Sequence, residues 1–269
     1  MDTIPLGKSR LPAGSCAFTL TELLVVIGTI ALLAVMLLPA LAASSAERAI
    51  RTACLNNLRQ LSVAMTVYAG NNNDTVVPAR QLTEAGPGGP FVQIALSPVS
   101  GITATNIGLL PTNTASIWTC PNLPGFAFYS STYAQWDIGY QYFGGITNWL
   151  NAVGTFPSRS PVKLSQSQPY WALAADCVIN AEAGWGATGG EPGTAPSVTS
   201  QHHGSDSLVP QGGNEVFVDG SAQWIPFEEM YALTTWDVTS RLCYFYQDPR
   251  DFPSILANRL SAAYMRAHP

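Results

Sequence analysis

From Leu23 to Ala46 the chain carries no charged residue. A helix rises about 1.5 Å per residue, so about 20 apolar residues suffice to cross a hydrocarbon core. The run LLVVIGTIALLAVMLLPALAASSA therefore reads as a transmembrane helix. One acid, Glu22, stands at its start. A carboxylate at membrane depth is costly, which marks such a residue as functional. Residues 1–17 before the run are polar, with Lys8 and Arg10 their only basic residues.

The helix is expected to continue beyond the apolar run. Leu58, Leu61, Met65 and Tyr68 recur at steps of three and four, which places them on one helical face. Glu47 and Arg51 stand at i, i+4 and can pair. Gly70, followed by Asn71-Asn72-Asn73-Asp74, is a stop signal. A helix from Phe18 to Ala69 would be about 78 Å long if straight. Its first half is apolar all round, and its second half offers one stripe for a globular head to cover.

The chain has 269 residues, and 47% of them are apolar. That is enough for a core in the roughly 200 residues beyond the helix. Only 11% are charged, against about 25% in an ordinary soluble domain. Polar positions are filled by Asn, Thr, Ser, Gly and Gln, which suits an extracytoplasmic, loop-rich head. The net charge is −5, and the 12 basic residues are scattered. Nucleic acid is excluded as a partner, because phosphate binding needs clustered Lys and Arg.

Short strands are predicted at Phe91–Ile94, Ile117–Cys120, Phe126–Ser130, Gly139–Phe143 and Tyr170–Ala175. Gly212 to Ile225 reads as a β-hairpin around Asp219-Gly220, with the positive φ angles of a type I′ turn. Asp251 is expected to cap a C-terminal helix, with Pro253 in its first turn and Ile255, Leu256, Leu260 and Tyr264 as its stripe.

Residues 17–27, Ala17-Phe18-Thr19-Leu20-Thr21-Glu22-Leu23-Leu24-Val25-Val26-Ile27, resemble the processing signal of type IV prepilins and type II secretion pseudopilins. The resemblance implies that a prepilin peptidase cuts between Ala17 and Phe18 and methylates the new amino terminus. It implies that Glu22 neutralises the terminal amine of a neighbouring subunit during assembly. Pro39 falls where many members carry a helix-disturbing proline. The chain departs from the family in having Ala17 where Gly usually precedes the cut. Two other readings compete: a secretory signal cleaved after Ala40-Leu41-Ala42, and a plain signal anchor.

A second segment resembles the end of pilin-like proteins that carry a so-called H-X9-DG region. His203, Gly213, Asn214, Phe217, Asp219 and Gly220 match it, although fifteen residues rather than nine separate His203 from Asp219. Cys54-Leu55-Asn56-Asn57-Leu58-Arg59-Gln60-Leu61 and Cys120-Pro121 resemble segments of the same group. The chain has five cysteines and no CxxC pair, which gives a thiolate zinc site little support. Loss of Cys16 with a leader would leave Cys54, Cys120, Cys177 and Cys243. Cys54 with Cys120 and Cys177 with Cys243 is one of three pairings, and four buried thiols is the alternative.

Asp176, His203 and Asp219 form the best polar constellation, able to hold a divalent cation. The bland alternative is turn chemistry at Asp219 and a strand-end role for Asp176. Some pseudopilins carry calcium in the head, so Asp74 joins Asp176 and Asp219 as a candidate calcium ligand. No nucleophile–base pair is organised, and no G-x-S-x-G elbow occurs, so the chain reads as a non-enzyme.

The expected fold is α+β: a long N-terminal helix, transmembrane in its first half, packed on an antiparallel β-sheet head in the pilin-like manner. The expected parts are a leader (1–17), a transmembrane and assembly helix (18–46), its amphipathic continuation (47–70) and the head (71–269). The resemblance implies a structural subunit of a type IV pilus-like or type II secretion filament. It would be single-pass in the inner membrane, with its head in the periplasm or on the cell surface or filament. The implied partners are other subunits, prepilin peptidase, the inner-membrane assembly machinery and the lipid bilayer. The alternatives are a membrane-anchored glycan- or cation-binding module that does not polymerise, and a secreted enzyme cut after Ala42.

Overall fold

The structure, a computed structural model, describes residues 19–82, 89–99, 101–109, 116–123, 125, 127–181, 209–233, 236–237 and 241–267. The chain divides into two compact units, Met1–Ala46 and Glu47–Pro269.

Helix α1 (Leu20–Asn71) begins in the first unit. Thr19 starts it with a capping box. The Thr19 backbone N–H and hydroxyl donate to Glu22 Oε2 at 2.9 and 2.7 Å, while Glu22 N–H donates to Thr19 Oγ1 at 3.2 Å. A Thr-x-x-Glu start satisfies two of the donors that every helix leaves open at its N-terminus. Leu20, Leu23, Leu24, Val25, Val26, Ile27, Ile30, Leu32, Leu33, Val35 and Met36 follow, all exposed.

In the second unit α1 has a buried stripe. Cys54, Leu58, Leu61 and Met65 are fully buried, Ala69 nearly so, and Tyr68 packs against the core half-buried. Arg51 pairs with Glu47 at 3.4 Å. The helix stops where Asn73 and Asp74 take positive φ angles of 53° and 65°, a conformation Asn and Asp tolerate better than most residues. The Asp74 N–H turns back to the Ala69 carbonyl at 2.9 Å.

The rest of the second unit is mostly sheet, in four antiparallel pieces. The first joins β1 (Ala79–Gln81), β2 (Phe91–Leu96), β3 (Phe128–Ser130) and β4 (Gln135–Asp137) in the order β1-β2-β4-β3. The second contains β5 (Tyr140–Tyr142), β8 (Ala172–Asp176), β10 (Gly212–Phe217) and β11 (Ala222–Pro226), ordered β11-β10-β8-β5. A two-stranded piece pairs β6 (Asn148–Asn151) with β7 (Gly154–Pro157). The last orders β9 (Val178–Ala181), β12 (Tyr231–Ala232) and β13 (Arg241–Phe245) as β12-β13-β9. Short helices α2 (Gly101–Asn106), α3 (Ser254–Arg259) and α4 (Ala262–Ala267) complete the element order.

Buried amides stitch these pieces together. Gln141 on β5 donates to the Asp176 and Tyr244 carbonyls at 3.0 and 2.9 Å, so one side chain bridges the second and last sheets. Gln93 on β2 donates to the Leu233 carbonyl at 3.4 Å. In a dry interior, such side-chain bonds to backbone help fix how the pieces meet.

The expectation of a membrane-crossing half-helix on a single antiparallel sheet is corrected by this architecture. So is the single-pass inner-membrane placement drawn from it. Among the described residues no helix is long and apolar enough to cross a membrane. The sheet is split into several small antiparallel pieces with short helices between them.

Smaller differences follow local chemistry. Ile117 to Cys120 is a turn segment, not a strand, with Trp118 and Cys120 buried. It is held where Gly139 lets the backbone approach: a Cβ on Gly139 would lie 2.7 Å from Cys120 N and 3.0 Å from the Trp118 carbonyl oxygen. Asp251 does not cap α3. The residue before that helix is Pro253, and Asp248 instead accepts from Arg250 N–H at the short helical turn before it.

Candidate functional site

The hairpin β10–β11 forms as the Asp-Gly pair predicts, but by another turn. Only Gly220 has a positive φ, at 81°. Gly220 N–H bonds to the Phe217 carbonyl, and Phe217 N–H to the Ser221 carbonyl. That is the three-residue pattern of an ordinary turn followed by a left-handed glycine, not the two-residue type I′ turn. Asp219 Oδ1 accepts from Ser221 N–H at 2.8 Å, so this exposed carboxylate serves the turn.

Register then decides what the hairpin carries. Asn214 stands opposite Trp224, so both side chains point to the same face. Asn214 Nδ2 donates to the Arg51 carbonyl at 3.1 Å, and the Arg51 guanidinium lies 3.6 Å from the Trp224 ring centre. Farther along, Arg59 donates to the Ala222 carbonyl at 3.4 Å. The second-unit part of α1 is thereby held by the Gly-Gly-Asn strand and its partner.

Asp176, the last residue of β8, is wholly buried under this contact. Its Oδ2 accepts from both the backbone N–H and Nδ2 of Asn214, at 2.8 and 2.9 Å. Cys54 and Cys120 lie beside it. Their sulfurs are 3.2 Å apart, and among the described residues Cys54, Cys120 and Asp176 bring one ligand atom each within 4.8 Å of one another. Asn57 Nδ2 closes the rim, donating to the Thr119 carbonyl and to the Tyr140 hydroxyl at 3.0 and 3.2 Å. The hydrogen bond to Cys120, then burial, then the Asp176 charge push the Cys54 thiol up. Burial pushes the Cys177 thiol up as well, with Cys120, Asp176 and Cys243 acting in the same direction. Both are therefore neutral thiols at ordinary pH.

Of the cation constellation read from sequence, the two described members, Asp176 and Asp219, are not brought together. Asp176 ends β8, whereas Asp219 N–H bonds to the Pro169 carbonyl before that strand begins. Asp74 accepts from Ser165 N–H at 3.1 Å and stands in neither place. His203 lies outside the described residues. Two sulfurs and one carboxyl do not suit calcium, which takes six to eight oxygens. At the other end of the chain, Ala17 and Phe18 lie outside the described residues, as does the side chain of Pro39. Glu22 is fully exposed, and the Thr19 hydroxyl, then the Thr19 backbone N–H, hold its carboxyl below its usual range. The sequence reading missed Thr19 as a cap, although Thr-x-x-Glu signals it.

Two other buried acids govern the pH response. Burial pushes Asp137 up to about 6, against the opposing hydrogen bond from Gln135. Burial likewise pushes Glu215 well above the carboxylate range, opposed by Tyr246 N–H. A raised pKa means that the folded state holds its proton more tightly than the unfolded chain. The stabilisation is complete below the ordinary value of 3.8 for Asp137 and is lost as pH rises through about 6. Calorimetry should therefore show Tm falling between pH 4 and 7, and Asp137→Asn should flatten the part of that slope below about pH 6. An unchanged slope in the variant would assign it elsewhere.

No family model matches the chain, nor does any curated protein or solved structure.

Proposed function

We propose that the chain is a structural subunit of a type IV pilus-like or type II secretion filament, processed before Phe18 by prepilin peptidase. The observation that carries this reading is the start of α1. Leu23, Leu24, Val25, Val26 and Ile27, five consecutive residues that together go round the helix, all stand exposed, with the single acid Glu22 at its start. A helix apolar all round has to be covered. Copies of the same helix would cover it, and a carboxylate near the new amino terminus would pair with a neighbour's amine. Pairing would relieve the cost of burying either charge alone. The second unit would then form the surface of the filament.

The test is the amino-terminal sequence and mass of the mature protein. N-methylated Phe18 as the first residue is the expected result. A first residue at Ala43 would replace this reading with a secreted protein. An intact leader would show that Ala17 blocks the cut.

A further inference from the structure

We infer that Cys54 and Cys120 are joined by a disulfide that fastens the second-unit part of α1 to the turn segment before Pro121. This inference does not depend on how the chain assembles. The sequence left three pairings of four cysteines open, and the geometry selects among them. Both residues are wholly buried, and their sulfurs already touch at 3.2 Å across 66 residues of chain. The backbone on both sides is fixed. Asn57, one turn after Cys54 on α1, donates to the carbonyl of Thr119, the neighbour of Cys120. Gly139 admits the backbone of Trp118 and Cys120 at van der Waals limits. Little movement separates these thiols from a bond.

The step is a thiol–disulfide exchange with a small-molecule or protein disulfide as oxidant. One thiolate attacks the oxidant and forms a mixed disulfide, and the second thiolate displaces the remaining sulfur. One S–S bond forms and one breaks. Two electrons pass to the oxidant, and the two protons end on its released thiols. In the folded chain both sulfurs are buried and Cys54 is held neutral, which starves the exchange of thiolate. The bond therefore forms while the second unit is still open, and after closure it resists reductant.

A metal is the competing use of the same atoms. Two thiols and Asp176 offer three ligands to a thiophilic cation such as zinc, and four is the usual number. Asp176 Oδ2 already accepts two bonds from Asn214. A disulfide leaves those bonds intact and buries no charge.

The experiment is to refold the full chain in a glutathione redox buffer, block thiols in denaturant, digest without reduction and identify linked peptides by mass spectrometry, with metal content measured alongside. The expected result is a Cys54–Cys120 linkage that dithiothreitol opens in denaturant and leaves intact in native buffer. Closing a loop of this length should raise Tm by roughly 10 °C over the C54A/C120A double variant. Both thiols alkylated, a linkage of either residue to Cys177 or Cys243, or one equivalent of zinc bound by the reduced pair would each overturn the inference. The peptide map reads the bond directly, so a double variant that does not fold leaves the test intact.

Discussion

Tyr142→Ala should destabilise the second unit by about 4 kcal/mol, read as a lower guanidinium midpoint at unchanged slope. Tyr142 sits on β5 with no exposed surface. Its ring meets Trp118 edge-on at 5.5 Å. Its hydroxyl donates to the Val77 carbonyl at 2.7 Å and lies 3.1 Å from Met65 Sδ. One side chain thus touches α1, the segment that follows α1 and the buried turn at Trp118. Burial holds its hydroxyl protonated far above neutral pH, so the bond to Val77 persists at any working pH. Removal of the ring leaves a cavity lined by residues from separate elements that cannot all close on it. Tyr142→Phe should cost only about 1 kcal/mol, for the lost hydrogen bond and the carbonyl left without it. Equal losses in the two variants would mean that the ring is not the wedge between α1 and the sheets.

The hairpin was legible because Asp-Gly between apolar strands leaves few alternatives. Its turn type was not, because two-residue and three-residue loops can both carry Asp-Gly and differ in loop length and in the sign of the Asp φ. The stripe of Leu58, Leu61 and Met65 was legible from spacing, since helical period alone places those residues on one face. Ile117 to Cys120 misled because a buried turn and a buried strand have the same apolar composition. The Asp176–Asn214 pairing was invisible. It depends on the register between β8 and β10, where Glu215 stands opposite Ala175, and long-range register leaves no trace in local sequence. Asp219 takes the turn role that its Asp-Gly context offered. Its carboxylate serves the adjacent backbone, a role that any Asp in a turn can take.

Glu22→Gln should abolish assembly while leaving the unfolding of the second unit unchanged. The substitution isolates charge from helix capping. Glu22 closes a capping box with Thr19, and Gln at that position also reaches back to the cap. The start of α1 should therefore survive, and circular dichroism should show equal helix content. What is lost is the one negative charge at the head of an apolar helix, the group that a neighbour's amine would need. Glu22→Ala removes charge and cap together, and Thr19→Val removes most of the cap while keeping the charge. Filament yield by electron microscopy separates the two effects. If charge governs assembly, Glu22→Gln and Glu22→Ala fail alike while Thr19→Val still assembles. If the cap governs it, Glu22→Gln assembles and Thr19→Val fails, and the role proposed for Glu22 is wrong. Residue 22 belongs to the unit Met1–Ala46 and not to the sheets. A fall in the melting temperature of the second unit would therefore mean that the variant acts by misfolding and not by loss of the ion pair.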